Sequence, residues 1–312
     1  MPLKDELLKI LEAHRDKPVS GQALARRFAV SRTAVWKAAN ELKAQGYAIL
    51  SAPNRGYQLA KDDDHLSHSA ITDLLHTKLP VYVYDSVDST LDEAKRRRAD
   101  GAKQFLIVSD TQTAGRGRRG RQFFSPKGTG LYLTLAMPLL SPVEAAPGIT
   151  AYAAVCVCKA VETLTSRQAR IKWVNDVFVD GKKVCGILTE ASTSLESGLI
   201  ETVFIGIGVN VTPCAIPEDL RDIVGFINPD TPVRNRLAAS IANGLLEFDA
   251  NKNTFPDDYR SRSMTIGRRV QCTVGNESFQ AKAVGIDSLG GLTVLPDNGE
   301  ERTLRSGEAK LL

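Results

Sequence analysis

The sequence has little that would take it into a membrane or out of a cell. Its longest apolar run, over 149–157, is too short to span a bilayer and is followed by Lys159. The amino terminus lacks an apolar signal core, because Lys4, Asp5 and Glu6 lie close together there. The five cysteines are odd in number and lack the paired spacing of metal ligands or of a disulfide framework. We therefore expect a cytoplasmic protein with reduced thiols and no membrane partner.

A strong net charge is also lacking, at +4 for 312 residues, but the positive charge is concentrated at one end. Residues 1–60 hold ten Lys/Arg against five Asp/Glu, so the remainder of the chain is slightly acidic. An excess of positive charge in one segment indicates that this segment meets a polyanion.

The pattern of residues 1–61 predicts a winged helix-turn-helix domain. Leucines recur at helical spacing over 3–11, a second helix follows Ser20, and a third runs from Ser31 to Gly46. A hairpin with a Pro53-Asn54-Arg55-Gly56 turn closes the segment. This order of two short helices and a hairpin after the first helix is typical of DNA-binding domains.

One face of the third predicted helix suits phosphates and base edges, whereas its opposite face is apolar. The apolar stripe consists of Val35, Ala38, Ala39 and Leu42. The residues that we expect to bind DNA are Ser31, Arg32, Thr33, Trp36, Lys37, Asn40 and, at the hairpin tip, Arg55. A winged helix that docks proteins is the alternative, but the basic excess favours DNA.

The rest of the chain divides into a predicted linker and two further domains. Residues 61–68 are polar without periodicity and predict a linker with His65 and His68 in solvent. Residues 70–262 alternate strands and helices, which predicts an α+β domain with a mixed sheet. Residues 264–312 are all strand, which predicts a small SH3-like β-barrel.

The central segment contains predicted strands and helices with clear local signals. The strands are predicted at 81–87, 105–109, 131–137, 171–174, 177–179, 184–190 and 203–211, and the helices at 90–100, 145–165 and 233–249. Pro232 opens the last helix, and Asp180-Gly181 predicts a hairpin turn.

The run from Gly115 to Arg121 places four arginines and three glycines in seven residues. Arginine offers a planar set of donors that matches phosphate and carboxylate, and glycine lets the backbone approach a ligand. The spacing matches neither the phosphate loop nor the dinucleotide fingerprint. A flexible RG-type tract is the alternative, but apolar strands on both sides favour an ordered loop that binds a nucleotide polyphosphate.

Seven motifs follow one another across most of the chain. They are Asp88-Ser89-Thr90, 112–121, Ser125-Pro126, 172–176, 183–188, 206–210 and Ser306-Gly307-Glu308. With these motifs the central segment resembles the biotin protein ligases, and the three-part layout resembles the bifunctional form that also represses biotin operons. The resemblance implies a central domain of the biotin/lipoate ligase type between the winged helix and the barrel.

The resemblance also implies a reaction in two steps, with ATP and Mg²⁺ as cofactors. The biotin carboxylate attacks the α-phosphate of ATP to form biotinyl-5′-AMP and pyrophosphate. A lysine of a biotin carboxyl carrier protein, from acetyl-CoA carboxylase or a similar acceptor, then displaces AMP. Biotinyl-5′-AMP is further implied as a corepressor that promotes a homodimer on operator DNA.

Site residues are carried over from the matching motifs. The implied catalytic residues are Arg118 and Lys183. The implied biotin-binding residues are Ser89, Thr90, Gln112, Arg116, Gly117, Arg118, Lys183, Gly186, Gly206 and Gly208. The implied nucleotide-binding residues are Arg118, Arg119, Arg121, Phe123, Asn175, Lys183 and Asn210, and Asp176 is the candidate for contact with Mg²⁺.

Three positions depart from the family pattern, and two other functions remain open. Leu91, Phe123 and Val174 stand where Asn, Trp and Pro are usual. A lipoate-type protein ligase is one alternative, although the winged helix and the arginine-rich loop favour biotin. A ligand-sensing transcription factor without ligase activity is the other, and the presence of Arg118 and Lys183 argues against it.

Overall fold

The computed structural model describes residues 2–52, 55–143, 146–194, 196–249, 257–297 and 299–312. Its amino-terminal part is a helix-turn-helix followed by a two-stranded antiparallel hairpin. The elements are α1 (Leu3–Ala13), α2 (Gly21–Arg27), α3 (Arg32–Ala44), β1 (Ile49–Ala52) and β2 (Gly56–Leu59). Pro53 and Asn54, half of the predicted turn, lie outside the described residues.

The sequence signals for α3 are confirmed. Ser31 Oγ accepts a hydrogen bond from the backbone N–H of Ala34, and Gly46 adopts a φ of 99° just after the helix. The predicted apolar stripe of α3 is buried in the core of this domain. Ser20 stands at the N-cap of α2, but its side chain forms no capping hydrogen bond within the described part of the chain.

The predicted linker is packed rather than solvent-exposed. Asp63 is buried, and its Oδ2 accepts a hydrogen bond of 2.7 Å from the backbone N–H of Ala48. Arg15 donates to the backbone carbonyl of Asp63 at 2.6 Å. Leu66 is buried in the core of the central domain. The connection between the two domains is therefore held on both sides.

The two predicted linker histidines differ in their surroundings. His68 is exposed as predicted and begins helix α4 (His68–Asp73). His65 is instead half-buried, with its ring centroid 4.2 Å from that of Tyr47. The prediction of a solvated His65 is wrong because Tyr47, just before β1, covers it.

Glu12 of α1 faces this connection and carries an unusual pKa. Burial raises the pKa of Glu12 from 4.5 to about 7, although a hydrogen bond from Ser67 and the charge of Arg15 lower it. Asp73 and Asp63 raise it further. The neutral carboxylic acid is thus the form that this interface favours.

We expect the free energy of unfolding to fall as pH rises from about 4.5 to about 7. Over this range Glu12 releases its proton in the unfolded state but keeps it in the folded state, so rising pH favours unfolding. Glu12→Gln should therefore raise the Tm relative to the unchanged protein at pH 8 and leave it unaltered near pH 4. Thermal melts across this pH range measure the effect. Glu41→Gln, at an exposed position of α3, is the control and should change neither value. Parallel pH curves for Glu12→Gln and the unchanged protein would contradict the prediction.

A seven-stranded sheet forms the central part, in the order β3-β4-β5-β9-β8-β7-β6. Its strands are β3 (Val81–Tyr84), β4 (Phe105–Ser109), β5 (Gly130–Ser141), β6 (Ala169–Lys172), β7 (Asp176–Val179), β8 (Lys182–Thr193) and β9 (Ile200–Asn210). Strands β3 and β4 are parallel and all other neighbours are antiparallel, which confirms the predicted mixed sheet.

Helices cover both faces of this sheet. They are α5 (Thr90–Ala99), α6 (Ala146–Thr165), α7 (Arg234–Leu246) and α8 (Asp257–Arg262). Alternation along β4 divides two cores: Phe105 and Ile107 pack with α5, and Leu106 and Val108 belong to the larger core with α6 and α7.

Helix α6 is long and apolar enough over Pro147–Thr165 to cross a membrane by length and composition. It packs against α7 and the sheet, and most of its apolar side chains are buried there. Its hydrophobicity is therefore accounted for by its position in the core.

The carboxy-terminal part is a five-stranded antiparallel sheet in the order β13-β12-β11-β10-β14. Its strands are β10 (Arg269–Val274), β11 (Glu277–Ile286), β12 (Leu292–Pro296), β13 (Arg302–Leu304) and β14 (Glu308–Leu311). The predicted barrel closure is not made by hydrogen bonds between β13 and β14, which are the two edges of the sheet in the described residues.

Candidate active site and nucleic-acid interface

A cavity of about 720 Å³ lies over the centre of the seven-stranded sheet. All the small-molecule site residues inferred from the motifs line it. They are Ser89, Thr90, Gln112, Arg116, Gly117, Arg118, Arg119, Arg121, Phe123, Asn175, Asp176, Lys183, Gly186, Gly206, Gly208 and Asn210. The fold thus brings Arg118 and Lys183, 65 positions apart in the sequence, to the same cavity.

Two cations of the cavity, Arg118 and Lys183, are half-buried, and each contacts a polar group of the protein. Arg118 Nη1 donates to Asn175 Oδ1 at 2.9 Å, and its Nη2 donates to the Gly307 carbonyl at 3.4 Å. Lys183 Nζ lies 2.7 Å from Asp176 Oδ1. Burial lowers the pKa of Arg118, and the nearby charge of Asp176 opposes that effect. Both cations are held beside space that an anionic ligand can enter.

The outer arginines of the loop are paired with carboxylates. Arg116 contacts Asp92 at 2.7 Å and Glu190 at 2.9 Å. Arg121 donates both guanidinium arms to Glu308 of β14, at 3.0 and 2.8 Å. These hydrogen bonds raise the pKa of Arg121 and lower that of Glu308. A phosphate would have to exchange with these carboxylates in order to reach the two arginines.

Arg119 lies in the turn between Arg118 and Arg121. Its φ of 56° is in the left-handed region, and its Nη2 donates to the Thr273 carbonyl at 3.3 Å. Arg119 also lies 3.8 Å from Glu308. The loop is therefore ordered against the carboxy-terminal sheet, contrary to a free RG-type tract.

A network of hydroxyl and amide groups occupies one end of the cavity. Thr90 donates its backbone N–H and its Oγ1–H to Gln112 Oε1, at 2.9 and 3.1 Å. Gln112 Nε2 donates to Ser125 Oγ at 2.9 Å. Ser89 Oγ caps α5 by accepting from the N–H groups of Leu91 and Asp92, and Ser89 is 1% exposed. Donors and acceptors of this kind suit a cyclic urea, which has two N–H groups and one carbonyl.

Two glycines opposite each other in β8 and β9 leave room for an aromatic ring. A Cβ at Gly208 would lie 2.4 Å from Phe123 Cε1, and a Cβ at Gly186 would lie 3.2 Å from Phe123 Cε2. The Phe123 ring fills the space over Gly208, and the implied role of Gly208 in biotin binding stays a prediction. A Cβ at Gly206 would meet the Leu188 carbonyl at 3.2 Å instead.

Within the described residues, Asp176 Oδ1 accepts no hydrogen bond of regular geometry, although the Lys183 ammonium lies 2.7 Å from it. Its Oδ1 atom is buried, and its one close charged partner among the described residues is the Lys183 ammonium. No group of three His, Cys, Asp or Glu side chains in those residues could hold a metal ion. A single carboxylate beside a phosphate site fits Mg²⁺, which is usually held by one or two carboxylates together with substrate phosphates.

Several parts of the cavity wall were not assigned from the sequence. They include Lys172 at the end of β6, residues within 219–224, and residues within 307–311 of the carboxy-terminal sheet. Lys172 and Glu308 lie inside motifs that carried the family resemblance, so those motifs were the available signal. The segment 219–224 has no such motif. Leu91 also lines the cavity and is 3% exposed.

The predicted DNA-binding residues are exposed or half-buried, and none is in the core of the amino-terminal domain as the structure describes it. Arg32, Thr33, Lys37 and Trp36 of α3 are exposed, and Trp36 is 53% exposed. Asn40 is half-buried, and Arg55 is exposed at the hairpin. An exposed tryptophan among basic and amide side chains suits contact with base edges and phosphates.

Comparison with known families gives a match for each part of the chain. Residues 83–210 match the Biotin/lipoate A/B protein ligase family, residues 4–58 match an HTH domain, and residues 265–312 match the Biotin protein ligase C terminal domain.

Comparison with whole proteins gives matches that extend over nearly the full chain. The bifunctional ligase/repressor BirA of Bacillus subtilis is 32% identical over 311 residues, covering 95% of each chain. That of Escherichia coli is 28% identical, covering 93% of this chain and 94% of the relative. The biotin protein ligase of Aquifex aeolicus, solved in complex with biotin and ATP, superposes with a TM-score of 0.61 at 28% identity and covers 75% of this chain and 98% of the solved chain.

Proposed function

This chain belongs to the family of bifunctional biotin ligase/repressor proteins, and from that premise we propose that Arg118 and Lys183 carry its ligase chemistry. It is a biotin–[acetyl-CoA-carboxylase] ligase with an amino-terminal HTH domain. The observation that carries the proposal is the cavity in which these two cations lie beside the Thr90–Gln112 network.

Biotin lies with its ureido ring at the hydroxyl and amide end of the cavity. Thr90, Gln112 and Ser89 bind the ring, together with the backbone at Arg116 and Gly117. The strands at Gly186, Gly206 and Gly208 form the wall beside it. This orientation directs the carboxylate of the ligand towards Arg118 and Lys183. A buried urea requires partners for all its polar atoms, which is why several short side chains converge here.

In the first step, a biotin carboxylate oxygen attacks the α-phosphorus of ATP. The bond from that phosphorus to the bridging oxygen breaks, and its electron pair leaves with pyrophosphate. Arg118 and Lys183 bind both anions, which lowers their repulsion and stabilises charge in the transition state. Asn175, Asn210 and Phe123 bind the nucleoside, and Arg119 and Arg121 contact the phosphates after release from Glu308. Asp176 would hold Mg²⁺ together with the phosphates, and the ion would supply positive charge that neutralises them.

In the second step, the lysine amine of the acceptor protein attacks the acyl carbon of biotinyl-5′-AMP. The bond from the acyl carbon to the phosphate oxygen breaks, AMP leaves with the electron pair, and the amine loses a proton. Arg118 and Lys183 stabilise the negative charge that develops on AMP. The partner is a biotin carboxyl carrier protein of acetyl-CoA carboxylase or a similar domain.

Incubation with an apo acceptor domain, biotin and MgATP tests the ligase function. We expect the intact mass of the acceptor to increase by one biotinyl group at a single lysine. Lipoate offered in place of biotin serves as the competing substrate and should leave the acceptor unchanged. An acceptor that stays unmodified with biotin would leave only a ligand-sensing transcription factor, and lipoylation would favour the lipoate-type ligase.

The exposed basic face of α3 supports a second activity, biotinyl-5′-AMP-dependent repression of biotin synthesis genes. We place the DNA-binding domain at 1–61, the ligase domain at 70–262 and the carboxy-terminal domain at 264–312. We also place the protein in the cytoplasm.

Biotinyl-5′-AMP promotes a homodimer, and the two winged helices of the dimer bind the two halves of an operator.

A mobility-shift assay with the upstream region of a biotin synthesis gene tests this activity. We expect a shifted band with biotin and ATP together and none with either alone. Lys37→Ala should weaken DNA binding, and it should reduce the slope of log affinity against log salt concentration by about one, because one phosphate contact is lost. Lys103→Ala, at an exposed lysine of the central domain, is the control. Binding that is independent of ligand would contradict corepression.

A further inference from the structure

The amino-terminal domain rests on the central domain through polar groups. In the described residues the hydrophobic cores of the two domains are separate clusters. Lys9 of α1 pairs with Asp73 of α4 at 2.9 Å, and the Tyr47 hydroxyl donates to the Leu66 carbonyl at 3.4 Å. Such an interface depends on the charge state of its groups, because a charge that is removed from water requires a partner.

Glu12 of α1 contacts the connection (61–68) inside this interface. Its side chain is hydrogen-bonded with the hydroxyl of Ser67. Ser67 is 1% exposed, and its backbone N–H donates to Asn235 Oδ1 of α7 at 2.9 Å. Glu12 therefore reaches from the amino-terminal domain to a residue that is itself bound to the central domain.

The cations close to Glu12 are bound to other groups. Arg15 is the nearby cation, and Asp73 and Asp63 are the nearby anions. Arg15 donates to the backbone carbonyl of Asp63 at 2.6 Å. Lys9, one turn before Glu12 on α1, is paired with Asp73. An ionised Glu12 would thus be a third carboxylate in this interface without an ion pair of its own, which is unfavourable when the group is partly desolvated.

Among the described residues, no ion pair joins Glu12 to the other titratable groups of the elements around it. These groups are Tyr47, Asp64 and His65 near the connection, His68 on α4, Tyr57 on β2, and Glu41 and Lys43 on α3. Burial raises the pKa of Tyr47, and His65 packs its ring on Tyr47. Lys43 is exposed and donates to Ser51. The docked domains therefore favour the neutral carboxylic acid, and burial accordingly raises the pKa of Glu12 from 4.5 to about 7.

We propose that Glu12 is a pH-sensitive switch of domain docking: its neutral form holds the DNA-binding domain against the central domain, and its ionised form releases it. Separation exposes Glu12 to water, where the carboxylate is fully hydrated, while each domain keeps its own core. Docking is therefore strongest below pH 4.5 and weakens as pH rises to about 7. The effect on DNA rests on the proposed repressor activity, because released winged helices have no fixed spacing for the two halves of an operator.

The test compares Glu12→Gln with the unchanged full chain at the same pH, so that the pH dependence of the assay itself cancels. Hydrogen exchange, followed by mass spectrometry, measures protection of the connection, where the Ser67 N–H is bonded to Asn235. Between pH 5 and pH 8, protection in the unchanged protein should fall about 10- to 100-fold relative to that in Glu12→Gln. Peptides of the central sheet should stay equally protected in both proteins. Glu41→Gln, the same change at an exposed position of α3, should behave like the unchanged protein.

Equal protection of the connection in Glu12→Gln and the unchanged protein at pH 8 would overturn the proposal. A loss that extends to the central sheet would also overturn it, because it would report unfolding rather than separation of the domains.

Operator affinity, measured with biotin and ATP present, gives the functional readout. From pH 6 to pH 8 the unchanged protein should lose about tenfold more affinity than Glu12→Gln, and biotinylation of the acceptor should stay within about twofold for both. An equal loss of affinity in the two proteins would show that docking does not control DNA binding. If the unchanged protein binds no operator at any pH, the repressor activity falls, while hydrogen exchange still judges the switch.

Discussion

Lys183→Met should slow the formation of biotinyl-5′-AMP by about 10²- to 10³-fold, with a much smaller effect on overall stability. Lys183 lies in the same cavity as Arg118 and 2.7 Å from Asp176, so it can replace that contact by one to an incoming phosphate. Removal of the ammonium takes away charge stabilisation where two anions meet. Single-turnover formation of radiolabelled biotinyl-5′-AMP, at saturating biotin and MgATP, measures the rate of this step.

Two control variants separate the lost cation from other effects. Lys282→Met removes an exposed lysine of β11 and should keep the rate unchanged. Lys183→Met with Asp176→Asn removes the carboxylate that the first change leaves without its ammonium. If the double variant recovered most of the rate, the orphaned carboxylate would be the cause and Lys183 would have no catalytic role. A loss below threefold in the single variant would also contradict the assignment.

Arg234→Met should lower the free energy of unfolding by about 3–5 kcal/mol, because it leaves a buried carboxylate without its counter-charge. Arg234 of α7 is 4% exposed, and its Nη1 lies 2.5 Å from Oδ1 of Asp110, which is 5% exposed. The same side chain donates to the backbone carbonyls of Asp64 at 2.9 Å and Gly130 at 3.2 Å. Urea denaturation of the full chain measures the loss.

The same substitution should also weaken biotin binding. Asp110 Oδ1 accepts a hydrogen bond from the backbone N–H of Gly128, where the loop that carries the arginines returns to the sheet.

Arg236→Met, two residues along α7, is the matched control for the effect of Arg234→Met on stability. Arg236 is exposed, and its partners among the described residues are Thr231 and Pro232 nearby, so we expect its free energy of unfolding to fall by less than about 0.5 kcal/mol. Equal free energies of unfolding for Arg234→Met and Arg236→Met would show that the buried contacts of Arg234 do not stabilise the fold.

The local elements of this protein could be predicted because their signals act over a few residues. Ser31 and Gly46 mark the two ends of α3, and both act by backbone geometry at the helix termini. Asp180 and Gly181 adopt φ values of 49° and 74° between β7 and β8, as the predicted hairpin turn requires. Boundaries were less accurate: β3 ends at Tyr84, three residues before the predicted end.

The membership of the cavity could also be predicted, but only through the motifs of a known family. Composition and spacing alone indicated a loop at 115–121 that binds a nucleotide polyphosphate, and they did not identify biotin. The motifs then brought together side chains from the loop, β8 and β9, all of which line the cavity. Their individual roles stay predictions until they are measured.

The partners of the charged side chains could not be predicted from the sequence. Arg121 pairs with Glu308, 187 positions away, and Arg234 joins Asp110, 124 positions away. No periodicity connects such residues. The polar stretch 61–68 predicted a linker for the same reason, since the side chains and carbonyls that bury Asp63 and Leu66 come from distant segments.

Capping residues, turn dipeptides and alternating apolar positions were sufficient to predict most helices and strands, the basic amino-terminal module and the arginine-rich loop, although α4 and α8 were not predicted. These features depend on interactions between neighbours in the chain. Two features were decided only when the fold brought distant segments into contact: the pairing of Arg121 with Glu308, and the packing of Phe123 over Gly208. The reason is that an ion pair or a packed ring depends on three-dimensional proximity, which local patterns do not contain.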